Sequence, residues 1–130
     1  MIPKIDIYCD SNTLAGGIWI PQVEKGYRIM YSRKLTVNEG EFSAMLVALE
    51  LAKGLLIDTR EIRIYSDSRL VVDAITKGWI KAPNLIPYYK KCSFTYLQLL
   101  DHNVKILWIP REQNSIADKI SYGKHGGEEL

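Results

Sequence analysis

Four acidic residues spread along the chain, Asp10, Glu41, Asp67 and Asp118, invite a chemical reading. Asp10 closes an alternating run, Lys4 to Asp10, in which Ile5, Ile7 and Cys9 oppose Asp6, Tyr8 and Asp10. Asp67 directly follows the strand-like run Glu61 to Ser66 and precedes Ser68 and a helical pattern. An acid in that place often only caps a helix, but if the two strands are neighbours the carboxylates meet. Glu41 lies near the start of a helical stretch. At ~100° per residue, Met45, Ala48 and Ala52 fall within about 40° of it, so it points out of the middle of the apolar stripe. A favourable charge on the helix dipole explains its position along the helix but not that orientation. Asp118 follows Ser115 by three residues, which reads as a capping box with Ser115 as N-cap. Its helix begins just after the last strand, on the edge expected to carry Asp10 and Asp67.

Four gathered carboxylates repel one another and require a counterion. No His/Cys cluster argues for zinc. Hard oxygen ligands favour Mg²⁺, with Mn²⁺ as a substitute, and leave positions open for water and phosphate. Two such ions about 4 Å apart activate a water and stabilise the leaving oxygen of an in-line phosphodiester cleavage. No side-chain nucleophile is then needed, and Ser11, Ser66 and Ser68 have no histidine placed to activate them.

The elements that must position these acids follow the order βββαβαβα. Short strands are expected over Lys4–Asp10, Ala15–Ile20 and Tyr27–Ser32, then a helix from about Glu39 to Ile57. A strand over Glu61–Ser66 and a helix over Ser68–Lys77, stopped by Gly78, come next. Pro83 and Pro87 break the chain before a helix of roughly Tyr88 to Asp101. Val104–Ile109 is the fifth strand and Ser115 to about Tyr122 the last helix. The expectation is one α/β domain over residues 1–123, with a mixed five-stranded sheet, three strands antiparallel and the later ones parallel, and helices on both faces. A frayed tail follows over 124–130. In such sheets, sites form at the carboxyl ends of parallel strands.

The charge balance of 17 Lys+Arg against 15 Asp+Glu neither demands nor excludes a nucleic-acid partner. Ala74 to Leu100 holds no acid but interleaves Lys77, Lys81, Lys90 and Lys91 with aromatics, which suits phosphate tracking. Taken alone, it reads better as a solvated lysine face over core aromatics. Cys9 and Cys92, far apart, read as reduced thiols of a cytoplasmic protein. No membrane partner is expected, and a monomer is the default.

Four segments together resemble type 1 ribonuclease H. They are IYCDSN (7–12), TVNEGEFSAMLVAL (36–49), IYSDSRLVV (64–72) and WIPREQNSIAD (108–118), in that family's order and spacing over nearly the whole chain. The resemblance implies that Asp10, Glu41, Asp67 and Asp118 form its catalytic metal-binding quartet. It also implies cleavage of the RNA strand of RNA/DNA hybrids, with 5′-phosphate and 3′-hydroxyl products. Thr36 and Asn38 match substrate-contacting positions, and Asn12 lies in a turn that touches substrate. Ser68, Arg69, Trp79 and Lys81 join the substrate-side candidates.

Three departures matter. The loop IPREQN (109–114) lacks the histidine that many members carry there, and Arg111 is the polar group placed to substitute. The lysine-rich protrusion shrinks to Gly78–Pro87 with Lys77 and Lys81, where Trp79 reads more simply as core than as a sugar contact. Arg69 stands where glutamine is frequent, which leaves double-stranded RNA open as a second substrate. The competing reading is a ribonuclease H-like binding module with little or no turnover. A related 3′→5′ exonuclease would show Asp-x-Glu on the first strand, where this chain has Asp10, Ser11 and Asn12.

Overall fold

The computed structural model describes residues 1–130. Its sheet is built on β1 (Ile5–Ser11), β2 (Ala15–Ile20) and β3 (Lys25–Met30), paired antiparallel in that order. β4 (Ile62–Ser66) pairs parallel to β1, and β5 (Val104–Trp108) parallel to β4. A short sixth strand, β6 (Glu128–Glu129), pairs parallel to β3 and gives the order β5-β4-β1-β2-β3-β6. The sheet therefore has one strand more than expected, and it comes from the segment read as a frayed tail. The close approach depends on Gly26, where a Cβ would stand 3.0 Å from the Gly126 carbonyl and 2.9 Å from Ile120 Cδ1.

The four helices are α1 (Val37–Leu55), α2 (Arg69–Lys77), α3 (Ile86–Gln98) and α4 (Ser115–Ser121). Phe42, Met45 and Leu49 of α1 meet Ile5 and Ile7 of β1, Ile18 of β2 and Ile62 and Ile64 of β4, and all are 0% exposed. Each such side chain contributes roughly 1.5–3 kcal/mol by leaving water. α4 covers the opposite face, against β1 and β2. No helix is long and apolar enough to cross a membrane.

Local signals fix most boundaries. Thr36 caps α1 in a reciprocal box: its hydroxyl accepts from Glu39 N at 3.1 Å, and Glu39 Oε1 accepts from Thr36 N at 3.0 Å. The capping box expected at Ser115 is absent. Ser115 is the first helical residue, and Asn114 occupies the cap position without capping, because its amide donates to the Cys9 carbonyl at 2.8 Å. Pro87 does not precede its helix but sits in the first turn of α3, where its missing N–H is harmless. Ser68 caps α2, accepting from Val71 N at 3.3 Å, and Gly78 ends it at φ 84°, a left-handed conformation that favours glycine. Tyr88, Tyr89 and Tyr96 pack partly against the core, as the lysine-face reading requires. Trp79 and Phe94 do not: they are 57% and 65% exposed.

Candidate active site

The parallel register of β1 and β4 pairs Cys9 with Ser66, so the next residue of each strand, Asp10 and Asp67, emerges at the same carboxyl edge. Glu41 reaches them from the second turn of α1. One carboxylate oxygen from each of Asp10, Glu41 and Asp67 lies within 4.8 Å of the others. Asp10 is 5% and Glu41 7% exposed. Asp118, from α4, lines the same cavity of about 460 Å³ together with Arg111 and Tyr122, although it stands outside the tight trio. A side chain at Gly17, which pairs with Asp10, would collide with the Ala117 carbonyl. The missing Cβ is what lets α4 settle against the sheet and bring Asp118 to the cavity.

None of the four acids forms an ion pair within 4.0 Å. Asp10 Oδ1 accepts from Ser11 N at 2.8 Å, whereas Glu41 Oε2 is buried with no partner at all. Burial and, next, the charge of Asp67 push the Asp10 carboxyl up to about 7, and Asp118 adds to the rise. Burial, then Asp10 and Asp67, push Glu41 up to about 9. Asp67, half-buried, is raised by burial but held down by the Asn114 amide and by Arg111. Each value states that these carboxylates are poor anions in one another's company.

A divalent cation fits this donor set. The ligands are hard oxygens, they converge from three elements, and the orphaned Glu41 oxygen faces burial without a donor, a costly state unless a cation shares it.

A protein-family model described as reverse transcriptase-like matches residues 10–122. A ribonuclease H of Desulforamulus reducens is 32% identical over 121 residues, covering 78% of this chain and 69% of the relative. The chain belongs to the type 1 ribonuclease H family. Two solved structures share the fold. The N-terminal ribonuclease H domain of a Mycobacterium tuberculosis protein superposes with a TM-score of 0.71 at 21% identity, covering 94% of this chain and 93% of that one. LC11-RNase H1, isolated from compost, was solved in complex with an RNA/DNA hybrid. It gives a TM-score of 0.74 at 24% identity, covering 88% and 91%.

The other positions expected of a ribonuclease H are dispersed. Asn12 lines the cavity, but its amide is engaged: Oδ1 accepts from Leu14 N at 2.7 Å and Ala15 N at 2.9 Å, and Nδ2 donates to the Ser121 carbonyl at 3.0 Å. Thr36 and Asn38 are exposed at the start of α1, the former busy as a cap. Arg69 lies over the Trp108 ring at 4.1 Å, and Lys81 over Trp79 at 5.6 Å. Both cations border a separate groove of about 560 Å³ beside α2. His102 is exposed in the turn before β5, and His125 meets the edge of Trp19 at 5.3 Å, so neither lines the acid cavity. Sequence reading missed Tyr122, a rim residue signalled only by its position one helical turn beyond Asp118.

Proposed function

We propose that this protein is a metal-dependent endoribonuclease that hydrolyses the RNA strand of RNA/DNA hybrids and leaves 5′-phosphate and 3′-hydroxyl ends. One observation carries the reading: three buried or half-buried carboxylates share a space of 4.8 Å with no cation to neutralise them. A structural cluster would be paired with Lys or Arg.

Asp10, Glu41, Asp67 and Asp118 are the groups that would hold Mg²⁺, with Mn²⁺ able to substitute. Two bound ions would supply an activated water and neutralise charge on the scissile phosphodiester. The chain's own contribution is placement. Asp10 is fixed by the Ser11 N–H, and Asp67 is placed beside it by the parallel register of β1 and β4. Exposed Arg111 at the cavity rim is suited to receive the departing 5′-phosphate in the role left by the absent loop histidine. Arg69 on Trp108, and Lys81 on Trp79, offer cations backed by aromatic planes to the nucleic-acid backbone. Thr36, Asn38, Ser68 and Asn12 complete the proposed contact surface. A duplex bound through its minor groove presents 2′-hydroxyls on one strand only when it is a hybrid. The hybrid-bound compost relative supports that choice of substrate. The proposal takes the protein as a cytoplasmic monomer.

The test is cleavage of an end-labelled hybrid with Mg²⁺ or Mn²⁺, beside double-stranded RNA and a circular hybrid. Nicking of both the linear and the circular hybrid, abolished by Asp67→Asn in a protein that melts normally, is the expected outcome. Binding without cleavage under every metal and pH would instead mark a binding module.

A further inference from the structure

Asp10 and Glu41 sit on separate elements, a strand and a helix, and whenever both are charged their repulsion pushes those elements apart. A contact outside the proposed chemistry holds them together. The Tyr31 hydroxyl, just past β3, lies 2.6 Å from Ser11 Oγ and donates to the Gly40 carbonyl at 3.0 Å. Ser11 directly follows Asp10, and Gly40 directly precedes Glu41. One phenol therefore touches the chain neighbour of each acid.

Two glycines make the approach possible. A Cβ at Gly40 would stand 2.5 Å from Ser11 Oγ and 2.8 Å from the Asn12 carbonyl, and one at Gly16 would stand 2.8 Å from the Tyr31 hydroxyl. Helix and strand turn are thus closer than any other residue permits, with the phenol filling the remaining gap. Burial lifts the Tyr31 phenol well above its ordinary value, which keeps it a neutral donor. A neutral tie can resist the repulsion between two carboxylates without adding a charge that would compete with a bound cation. Placed elsewhere along the β3–α1 connection, the same hydroxyl would hold the fold equally well but would leave the spacing of the two acids free.

We propose that Tyr31 is a positioning residue that sets the separation of Glu41 from Asp10 through the Ser11–Tyr31–Gly40 contact, and thereby sets divalent-cation affinity. The inference rests on reading those acids as cation ligands. Tyr31→Phe removes the hydroxyl and keeps the ring; Ser11→Ala removes its partner. Calorimetric titration of the full chain with Mn²⁺ should show affinity about 10-fold weaker in either variant, as for lost supports of metal ligands. The two changes share the Ser11–Tyr31 contact, while Tyr31→Phe also loses Gly40 and Ser11→Ala also loses the Asn12 and Ala15 carbonyls, so the double variant should fall short of the sum of the two singles. On hybrid substrate, kcat should fall while KM stays within about twofold, a split that general loosening does not produce. A folded Tyr31→Phe protein with an unchanged Mn²⁺ isotherm overturns the proposal. If Tyr31→Phe does not fold, Ser11→Ala decides on the same readings. Wild-type protein that binds Mn²⁺ but cleaves nothing sinks the nuclease reading alone, and the isotherms still decide the role of Tyr31.

Discussion

Asp6 and Asp10 stand four residues apart on the same face of β1 and are buried alike, 8% and 5% exposed. Their surroundings differ completely. Asp6 accepts from Gln22 Nε2 at 2.8 Å and Tyr65 Oη at 3.0 Å, with Lys4 Nζ at 3.7 Å. Asp10 has one backbone donor and otherwise faces carboxylates. Depth of burial therefore says little about what an acid does, whereas its partners say a great deal. Asp6 is a closed account of donors and acceptors that ties β1 to β4 and to the turn after β2. Asp10 is an open one, with a single donor and no cation beside it.

The comparison breaks most sharply by substitution. Asp10→Asn should lower kcat on hybrid by at least about 10³-fold, ~4 kcal/mol of barrier. The metal-free protein should melt no lower than wild type, because a repelling charge has gone. Asp6→Ala should do the reverse. Loss of the acceptor strands two donors and costs about 1–3 kcal/mol of stability in a urea titration, with turnover per folded molecule unchanged. Equal effects of the two changes on turnover would erase the distinction.

Proton uptake sharpens it further. Burial and the charge of neighbouring carboxylates raise Asp10 and Glu41 well above the carboxylate range near 4 that they keep when unfolded, so the folded state binds more protons. Stability of the metal-free protein is then greatest at acid pH and falls as pH rises from about 4, the unfolded carboxylate range, through the raised folded-state values, by at least about 1.4 kcal/mol, the equivalent of one pKa unit. Melts in EDTA at pH 5.5 and 9 should show that fall, and added Mg²⁺ should raise the melting temperature more at pH 9. The smallest effect is expected from Arg111→Ala. With exposed Arg111 gone, Asp67 loses one cationic neighbour. Steady-state kinetics should show kcat reduced about two- to fivefold, within the range of a modest exposed charge effect.

Much of the site was legible because it follows from periodicity. The period of two put Asp10 and Asp67 at strand ends, and the parallel register then made them neighbours. The period of 3.6 aimed Glu41 at the sheet, where Met45, Ala48 and Ala52 are all buried with it. Errors arose where local signals compete for one partner. Thr36-x-x-Glu39 and Ser115-x-x-Asp118 carry the same capping signature, yet only the first is used, because Asn114 is drawn to the Cys9 carbonyl across the sheet. Trp79 looked like core because its aromatic ring is apolar, but it stands 57% exposed at the groove beside α2, under Lys81.

The sequence by itself determined the order of elements, the edge on which the acids gather and the hard-ligand character of the cluster, since all three depend on neighbours along the chain. Tertiary structure alone decided that Gly17 admits α4 beside Asp10, that Tyr31 bridges Ser11 and Gly40, and that residues 128–129 join the sheet. Those contacts join segments whose separation in space is set by the packing of the whole core, and no local pattern of residue types encodes such a distance.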